Sequence, residues 1–355
     1  PCHTFAHTPA TAMCLWGGKE ETETSPPIGE RERERKWATM MRGGVIVVAA
    51  VVAVLLACVA HASFVVNDDI IHSVNSNPNV NWKAGHNQFS FFTEEEVRAM
   101  LKVKVSPRDE DVARISAAAP VHRNTALPSS FDSRDKWGSC VHPIRNQLKC
   151  GSCWAFSASE VLSDRFCIAS NGTVDVVLSP QYLVSCDGYD MGCNGGQLGN
   201  VWSWMKGHGI VADACLPYTA GDGNVEPCPT HCSDGSAFKW YKAASYKHIG
   251  SFIIFWKRVE EIQTALMENG PVQAAFTVYQ DFMSYQSGVY KHTSGGMLGG
   301  HAIKIVGWGS ENGEDYWLVA NSWGTTWGLQ GFFKILRGKD ECGIEGDVYG
   351  GEPAL

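Results

Sequence analysis

The spacing of apolar positions in the first half of the chain predicts helices. In residues 92–103 (FTEEEVRAMLKV) apolar side chains recur at three- and four-residue spacing, and Thr93 with Glu96 has the sequence of a capping box. Residues 153–169 (CWAFSASEVLSDRFCIA) mix large apolar side chains with alanine and serine. That mixture is typical of a helix that is buried along most of its length.

The second half of the chain has the pattern of strands. Short runs of β-branched and aromatic residues, separated by glycines, occupy residues 271–279, 301–309, 316–324 and 331–338. Such runs are typical of an antiparallel sheet or barrel. A helical half followed by a β half predicts an α+β fold, with a cleft where the two halves meet.

An apolar run near the start of the chain predicts a secretory signal peptide. A basic residue precedes the run, which extends unbroken from Val45 to Ala60 and closes with a small-residue triplet. We expect a signal peptide at 40–62 that is cleaved before Ser63. The alternative is a membrane anchor, but the run is shorter than the ~20 residues that a spanning helix needs. We expect residues 1–39 to be an upstream segment outside the fold.

The distribution of cysteines divides the rest of the chain in two. Residues 63–126, here called the leader, contain no cysteine, and residues 116–128 are typical of a flexible connector. Residues 127–355 are cysteine-dense and are predicted to form the mature domain. Thirteen cysteines in 355 residues favour an oxidising, secretory route. The net charge of −8 argues against a nucleic-acid partner, since no basic excess exists to replace counterions.

The pair Cys150 and Cys153, in QLKCGSCWAFSASE, allows three interpretations. A redox pair of this spacing normally follows a buried strand of a βαβ unit, and the sequence before Cys150 supplies none. A zinc site needs a second close pair, and only CPTHC at 228–232 offers one, in a region without regular spacing. The third interpretation is one structural cysteine and one catalytic nucleophile.

The third interpretation agrees with distant parts of the sequence. Cys-Gly-Ser-Cys-Trp is the local signature of papain and the cathepsins, in which the second cysteine is the nucleophile and a histidine follows ~130–150 residues later. His301 follows Cys153 at that spacing, and Asn321 lies in ANSWG. Each of the three residues alone is more often structural than catalytic; in this order, with matching flanks, they indicate a catalytic set.

From Ser63 to its C-terminus the chain resembles papain-like cysteine peptidases, closest to cathepsin B. The similar stretches are NWKAGHN in the leader and LPSSFDSRDKW, DMGCNGGQ, GPVQAAFTVYQDFMSYQSGVY and GFFKILRGKDECGIE in the body. The resemblance implies a two-subdomain fold, with a helical left half, an antiparallel β-barrel-like right half and an active-site cleft between them. It also implies a cathepsin B-like endopeptidase made as a zymogen, which acts through a Cys–His thiolate–imidazolium pair and an acyl-enzyme. The alternative is a catalytically silent papain-fold binding protein.

The resemblance gives the catalytic residues their roles. Cys153 would be the thiolate nucleophile, helped by the positive end of its helix dipole and by an imidazolium at His301. Asn321 would orient the imidazole, and Gln147 with the Cys153 N–H would hold the oxyanion. The sequence departs from the family at Leu148-Lys149, where small residues are usual. We expect this bulkier pair to put the position of Gln147 in doubt.

The resemblance also assigns substrate contacts. The two glycines that follow Cys-Asn would offer backbone groups to an extended peptide. One tryptophan would border the leaving-group side. An aspartate would replace the family's glutamate at the base of the pocket for the second residue before the scissile bond. The alternative for that aspartate is a solvated carboxylate near the C-terminus. The predicted substrate-binding residues are Trp154, Gly195, Gly196, Ala275, Trp323 and Asp347.

The remaining cysteines are paired by the resemblance alone, because eight cysteines allow about 105 connectivities. It implies Cys140–Cys167, Cys150–Cys193, Cys186–Cys228 and Cys215–Cys232, with Cys342 outside the bridges. Asn171-Gly172-Thr173 is a glycosylation sequon.

The resemblance implies polypeptide substrates, inhibition by the enzyme's own propeptide, cystatin-type inhibitors as further partners, and a monomer without cofactor, metal site or membrane anchor. It places the protein on the secretory pathway, in a lysosome or acidic vesicle or outside the cell. One feature of cathepsin B is missing. Between Cys215 and Cys228 the chain has no histidine, so we expect no occluding loop and endopeptidase activity only.

Overall fold

The computed structural model describes residues 64–104, 127–250 and 255–355, and parts of a helical segment between 29 and 41. The chain separates into two compact units, 1–62 and 63–355, and the second carries the features discussed below. Within the described residues, no helix is both long and apolar enough to cross a membrane.

Several sequence predictions fall outside this described part. They are the apolar run of the signal peptide, most of the connector, and the exact cleavage points at Ser63 and near Leu127. The domain boundaries therefore stay predictions.

Seven helices and nine strands of the larger unit have defined bounds. The helices are α1 (Asp68–Asn75), α2 (Glu94–Met100), α3 (Ser133–Trp137), α4 (Cys153–Ala169), α5 (Pro180–Cys186), α6 (Leu198–Gly207) and α7 (Phe255–Asn269). The strands are β1 (Trp82–Ala84), β2 (Phe131–Asp132), β3 (Ala243–His248), β4 (Val272–Tyr279), β5 (Tyr285–Tyr290), β6 (Met297–Glu311), β7 (Glu314–Ala320), β8 (Phe332–Leu336) and β9 (Asp347–Pro353).

Helix α4 is the central helix and occupies the predicted residues. It is buried from Cys153 to Cys167, because its alanines and serines let neighbouring elements approach closely. Buried serine hydroxyls donate to carbonyls of the preceding turn, as Ser157 does to Cys153 at 2.7 Å. Their polar atoms are therefore satisfied inside the helix itself. With α5 and α6, helix α4 forms the core of the helical half.

A buried ion cluster joins α4 to strand β6. The Lys304 ammonium on β6 lies 2.8 Å from Asp164 and 3.7 Å from Glu160, both on α4. His142 also contacts Asp164, at 2.7 Å. Because these groups are largely shielded from water and pair with one another, a shift of α4 along β6 would leave a charge unpaired. The cluster therefore fixes the position of α4 relative to β6.

The β half is one mixed sheet. Its strand order is β1-β5-β8-β7-β6-β4-β9-β3, with β2 also paired to β6. The pairing is antiparallel except between β5 and β8, where Val289 lies opposite Lys334 in a parallel register. The long connection through β6 and β7 makes that pairing possible. The predicted α+β architecture is confirmed, and the β5–β8 pair is a parallel exception in a sheet that the sequence predicts to be antiparallel.

The leader is part of the sheet and of its core. Strand β1 adds to the free edge of β5, with Trp82 opposite Gly288. Trp82 is fully buried, and its ring lies 5.1 Å from that of Tyr290. Val65, Val74 and Val97 of the leader belong to the same apolar cluster as the sheet residues. Removal of the leader therefore exposes apolar surface on the rest of the protein.

Four disulfides tie the helical half together. They join the pairs that the resemblance implies: Cys140–Cys167, Cys150–Cys193, Cys186–Cys228 and Cys215–Cys232. Since Cys150 is bridged to Cys193, it cannot form a redox pair with Cys153 or a zinc site with CPTHC. The sequence CGSC therefore contains one structural cysteine and one free thiol, Cys153.

Candidate active site

Cys153 is the first residue of α4 and is fully buried. Ser152 precedes the helix without a side-chain capping bond, so the first backbone N–H groups of the helix remain available. Backbone N–H groups of Ala302, Trp154 and Lys102 act to lower the pKa of the thiol. Ala302 directly follows His301 on β6. The packing of α4 on β6 therefore brings the predicted nucleophile beside the predicted base.

The imidazole of His301 is held from one side. Its Nε2 lies 2.7 Å from Asn321 Oδ1, which also accepts the Ser322 N–H at 2.8 Å. The Ser322 N–H bond identifies this atom as the amide oxygen, which can only accept hydrogen bonds. His301 Nε2 must therefore donate to it and carries the proton. Nδ1 is then left with its lone pair, and it has no hydrogen-bond partner among the described residues. The Trp323 ring stacks on the imidazole at 4.7 Å.

Hydrogen bonds hold the side chain of Gln147 in place, although the bulky Leu148 follows it. Its Oε1 accepts from Ser322 Oγ at 2.7 Å, and its Nε2 donates to the Cys150 carbonyl at 2.9 Å. Leu148 adopts φ +54°, a left-handed conformation that costs a residue with a Cβ about 1–2 kcal/mol. The strain is taken up by Leu148 itself, and the Gln147 side-chain amide still faces the cleft beside Cys153.

The predicted substrate-binding residues fall into two groups. Gly195 and Gly196 lie on the helical wall, where a Cβ on Gly196 would meet the Trp154 ring at 2.6 Å. Ala275 lies on the opposite wall, with Ala302 and Asp347 as its register partners on β6 and β9. Ala275 on β4 therefore lies between Asp347 on β9 and Ala302, the residue that follows His301, on β6.

Asp347 has a partner that the sequence did not reveal. His248 Nε2 lies 3.9 Å from its carboxylate and 3.3 Å from the Gly346 carbonyl. Burial raises the pKa of Asp347 above its ordinary value, and the nearby His248 opposes that rise. His248 reaches this position because β3 pairs with β9, a long-range contact that no local pattern in the sequence indicates.

The leader crosses the cleft over the catalytic residues. The Met100 carbonyl accepts the second Gln147 Nε2 hydrogen bond at 3.1 Å, and the Val103 N–H donates to the Gly300 carbonyl at 3.2 Å. Gly195 lies so close to the Lys102 carbonyl that any Cβ there would collide with it. Sequence reasoning extended a helix through these leader residues; α2 instead ends at Met100, and the next residues run extended across the cleft.

Burial under the leader favours the uncharged forms of the catalytic pair. It raises the pKa of the Cys153 thiol from 9.0 to about 11 and lowers the pKa of His301 from 6.5 to about 4. Desolvation is the largest cause for both, because a thiolate and an imidazolium each lose water without gaining a comparable partner. In the covered site at neutral pH, the pair is therefore a thiol and a neutral imidazole.

Backbone and aromatic contacts hold the leader in place. Asn87 donates to the Met283 carbonyl at 2.7 Å, Gln88 donates to the Trp323 carbonyl at 2.8 Å, and the Phe89 ring lies 5.1 Å from that of Trp323. Among the described residues, one ion pair joins the leader to the rest of the chain, Glu96 to Lys149 at 3.6 Å. The acidic residues of α2 therefore contribute little to holding the leader, since exposed pairs are weak.

Asn171 lies in an exposed turn just after α4. It has φ +52°, and Gly172 and Thr173 complete the sequon on the surface. The side chain is therefore accessible for glycosylation, which stays a prediction.

The fold is matched by known proteins. Residues 127–351 match the profile of the papain family cysteine proteases, so the chain belongs to that family. Within it, the chain is similar to cathepsin B-like proteins.

Three relatives illustrate the similarity. Cathepsin B-like cysteine proteinase 5 of Caenorhabditis elegans is 40% identical over 344 residues, covering 88% of this chain and 97% of that protein. Cathepsin B-like CP2 of Giardia intestinalis is 41% identical over 290 residues, covering 80% and 92% respectively. The solved structure of procathepsin B S9 from Trypanosoma congolense has a TM-score of 0.71 at 32% identity, covering 82% of this chain and all of that one.

These findings confirm the predicted cysteine peptidase. The protein is a papain-family cysteine peptidase made as a proform, similar to cathepsin B-like enzymes.

We expect the leader to suppress the chemical reactivity of Cys153. With a pKa of about 11, the covered thiol should hold about a hundredfold less thiolate at pH 7 than an ordinary cysteine. Its alkylation by iodoacetamide should therefore be slow in the full chain and accelerate only at alkaline pH. Peptide mapping by mass spectrometry measures the rate.

The processed enzyme provides the comparison, because its uncovered Cys153 should react at neutral and mildly acid pH. Cys342, which is also buried and outside the disulfides, serves as the internal reference in both digests. Equal alkylation rates of Cys153 in the two forms would contradict the proposed effect of the leader.

Proposed function

We propose that the enzyme cleaves peptide bonds inside polypeptide chains, with Cys153 as nucleophile and His301 as general acid and base. One observation carries the proposal: the Gln147 side-chain amide, beside Cys153, already donates a hydrogen bond to a peptide carbonyl of the leader. A substrate carbonyl in the same place would face the Cys153 sulfur. The site therefore binds a peptide backbone before any substrate arrives.

The reaction follows from the geometry once the leader has left. Water re-enters, the Cys153 proton passes to His301 Nδ1, and the ion pair forms because both charges are again solvated. The thiolate attacks the scissile carbonyl, and the Gln147 amide with the Cys153 N–H stabilises the oxyanion. His301 then gives its proton to the leaving amine, and a water molecule hydrolyses the thioester. Asn321 keeps the ring in the productive orientation throughout.

The location of the enzyme is also a proposal. The apolar run at 45–60, the disulfides and the leader favour synthesis on the secretory pathway, followed by action in an acidic vesicle or outside the cell. We further propose a monomer that is inhibited by its own leader and by cystatin-type proteins.

We expect substitutions at the site to separate these roles. Cys153→Ser and His301→Ala should abolish hydrolysis, and Gln147→Ala should lower kcat by about 10²–10³-fold, as for removal of one oxyanion donor. Asn321→Ala should be milder than His301→Ala, because it removes only the orienting bond. Fluorogenic peptide assays measure the rates, with circular dichroism to check folding. Hydrolysis by Cys153→Ser at the parent rate would refute the assignment.

Asp347 is proposed to read the second residue before the scissile bond. A carboxylate at that pocket can pair with a guanidinium, so Asp347→Ala should slow cleavage after Arg-Arg and spare cleavage after Phe-Arg. His248→Gln should act in the opposite direction, because it removes the imidazole that lies 3.9 Å from the carboxylate and competes with a substrate guanidinium for it. The comparison needs kcat/KM for both dipeptide substrates. Equal losses on both substrates in Asp347→Ala would show that another residue reads this position.

The Arg preference should also depend on pH. Because burial raises the pKa of Asp347, its carboxylate is lost on acidification at a higher pH than that of an exposed aspartate. The charged or titratable groups that act on this carboxylate are His248 and Tyr349. The Arg-Arg to Phe-Arg ratio should therefore fall as the pH decreases, and the fall should begin at a higher pH in His248→Gln, because His248 no longer opposes the rise in the pKa of Asp347.

Endopeptidase activity is favoured over dipeptide removal. The segment between Cys215 and Cys228 contains no histidine, and His231 follows as an exposed side chain. Without a histidine pair, this segment offers no cationic site to a substrate's terminal carboxylate. A peptide with a free C-terminus and its amide should be cut at the same internal bonds. Repeated two-residue trimming of the free form alone would contradict this.

A further inference from the structure

Lys149 occupies a fixed place beside the oxyanion donor. Its backbone N–H donates to the Gly221 carbonyl at 2.9 Å, and it follows the left-handed Leu148. The side chain of Leu148 lies against Gly221, so the chain turns outward at this point. The Lys149 side chain is 60% exposed. Its base is therefore held by the fold while its ammonium remains accessible.

The leader defines on which side of the scissile bond Lys149 stands. Phe89 packs on Trp323, the Met100 carbonyl binds Gln147, and Lys102 lies against Gly195. The resemblance places Trp323 on the leaving-group side, and the leader runs from Trp323 past Gln147 to Gly195, so Gly195 borders the opposite, acyl side. Leader residues upstream of 100 therefore cover the leaving-group side, and the residue that contacts Lys149 belongs to this upstream part.

That contact is with a carboxylate. Glu96 Oε1 lies 3.6 Å from Lys149 Nζ, and the Phe92 ring lies 5.6 Å from the same ammonium. The other oxygen of Glu96 accepts the Thr93 N–H at 3.0 Å in the capping box of α2. The leader thus presents a pre-oriented carboxylate to Lys149 on the leaving-group side, where a substrate would lie after activation.

We propose that, after the leader is removed, Lys149 binds a carboxylate on the leaving-group side of the substrate. The enzyme then prefers an acidic side chain at one of the first positions after the scissile bond. A chain-terminal carboxylate has the same chemistry and is distinguished by the test. The inference rests on the proposed peptidase function and adds a specificity that the catalytic residues do not determine.

The test uses the processed enzyme and three internally quenched peptides. Two of them carry Glu or Gln at successive positions after the scissile bond and have an amidated end. The third is the Gln peptide with a free end. At about pH 6, where the glutamate side chain is ionised, kcat/KM for Glu over Gln should be about two- to five-fold, as expected of one exposed ion pair. Added salt should reduce this ratio, because exposed charges are screened.

Three variants identify the residue responsible. Lys149→Met keeps the length of the side chain and should bring the Glu-to-Gln ratio to about one, whereas Lys149→Arg should retain it. Lys206→Met, an exposed lysine on α6, should leave the ratio unchanged. A free-end preference that disappears in Lys149→Met would support the same ammonium–carboxylate contact, with the chain terminus as its source.

Other outcomes overturn the proposal. A ratio near one in the parent enzyme, or a preference that survives in Lys149→Met, would show that Lys149 does not read the substrate. No hydrolysis of any peptide would instead reject the peptidase function, and this proposal with it.

Discussion

The packing of α4 against β6 is the contact on which the active site depends. Cys153 begins the helix and His301 lies on the strand, so neither can act unless the two elements keep one relative position. Small buried residues allow the helix and the strand to approach closely. The Lys304–Asp164 pair permits only one register, because any shift would leave a buried charge unpaired. Lys304 lies three residues beyond His301 on the same strand. The cost of burying these charges is offset by the hydrogen bonds within the cluster, and the result is a fixed alignment of the two halves.

In the proposed function, latency and catalysis depend on the same groups. The Gln147 amide and the backbone of Gly300 bind leader groups that resemble a substrate, while burial of Cys153 and His301 suppresses the charges needed for attack. The leader adds a strand to β5 and places aromatic rings against Trp323, so it is bound mainly through backbone and apolar contacts. Activation must therefore break an extended interface. The single exposed ion pair found between leader and body in the described residues contributes little to it.

The departure at Leu148-Lys149 changes the surroundings of Gln147 but not its hydrogen bonds. The left-handed backbone that a glycine would adopt freely is here imposed on a leucine, yet Gln147 keeps its bonds to Ser322 and Cys150. The strain is confined to one residue. The following lysine gains a defined position at the edge of the cleft, opposite a leader glutamate.

Local patterns in the sequence were enough to predict the main elements and to propose the catalytic residues. Periodicity located α4 and its burial, the capping box located α2, and the order of Cys153, His301 and Asn321 identified the family. These signals are local, or are carried by motifs whose chemistry tolerates few replacements.

The tertiary structure decided the contacts between distant residues. The parallel pairing of β5 with β8, the His248–Asp347 contact, the Lys304–Asp164 pair and the path of residues 100–103 through the cleft each join segments far apart in the sequence. No period or spacing encodes such partners. These contacts belong to the arrangement that buries the apolar faces and leaves the fewest buried polar groups unpaired. That balance depends on the whole folded chain and not on any local segment.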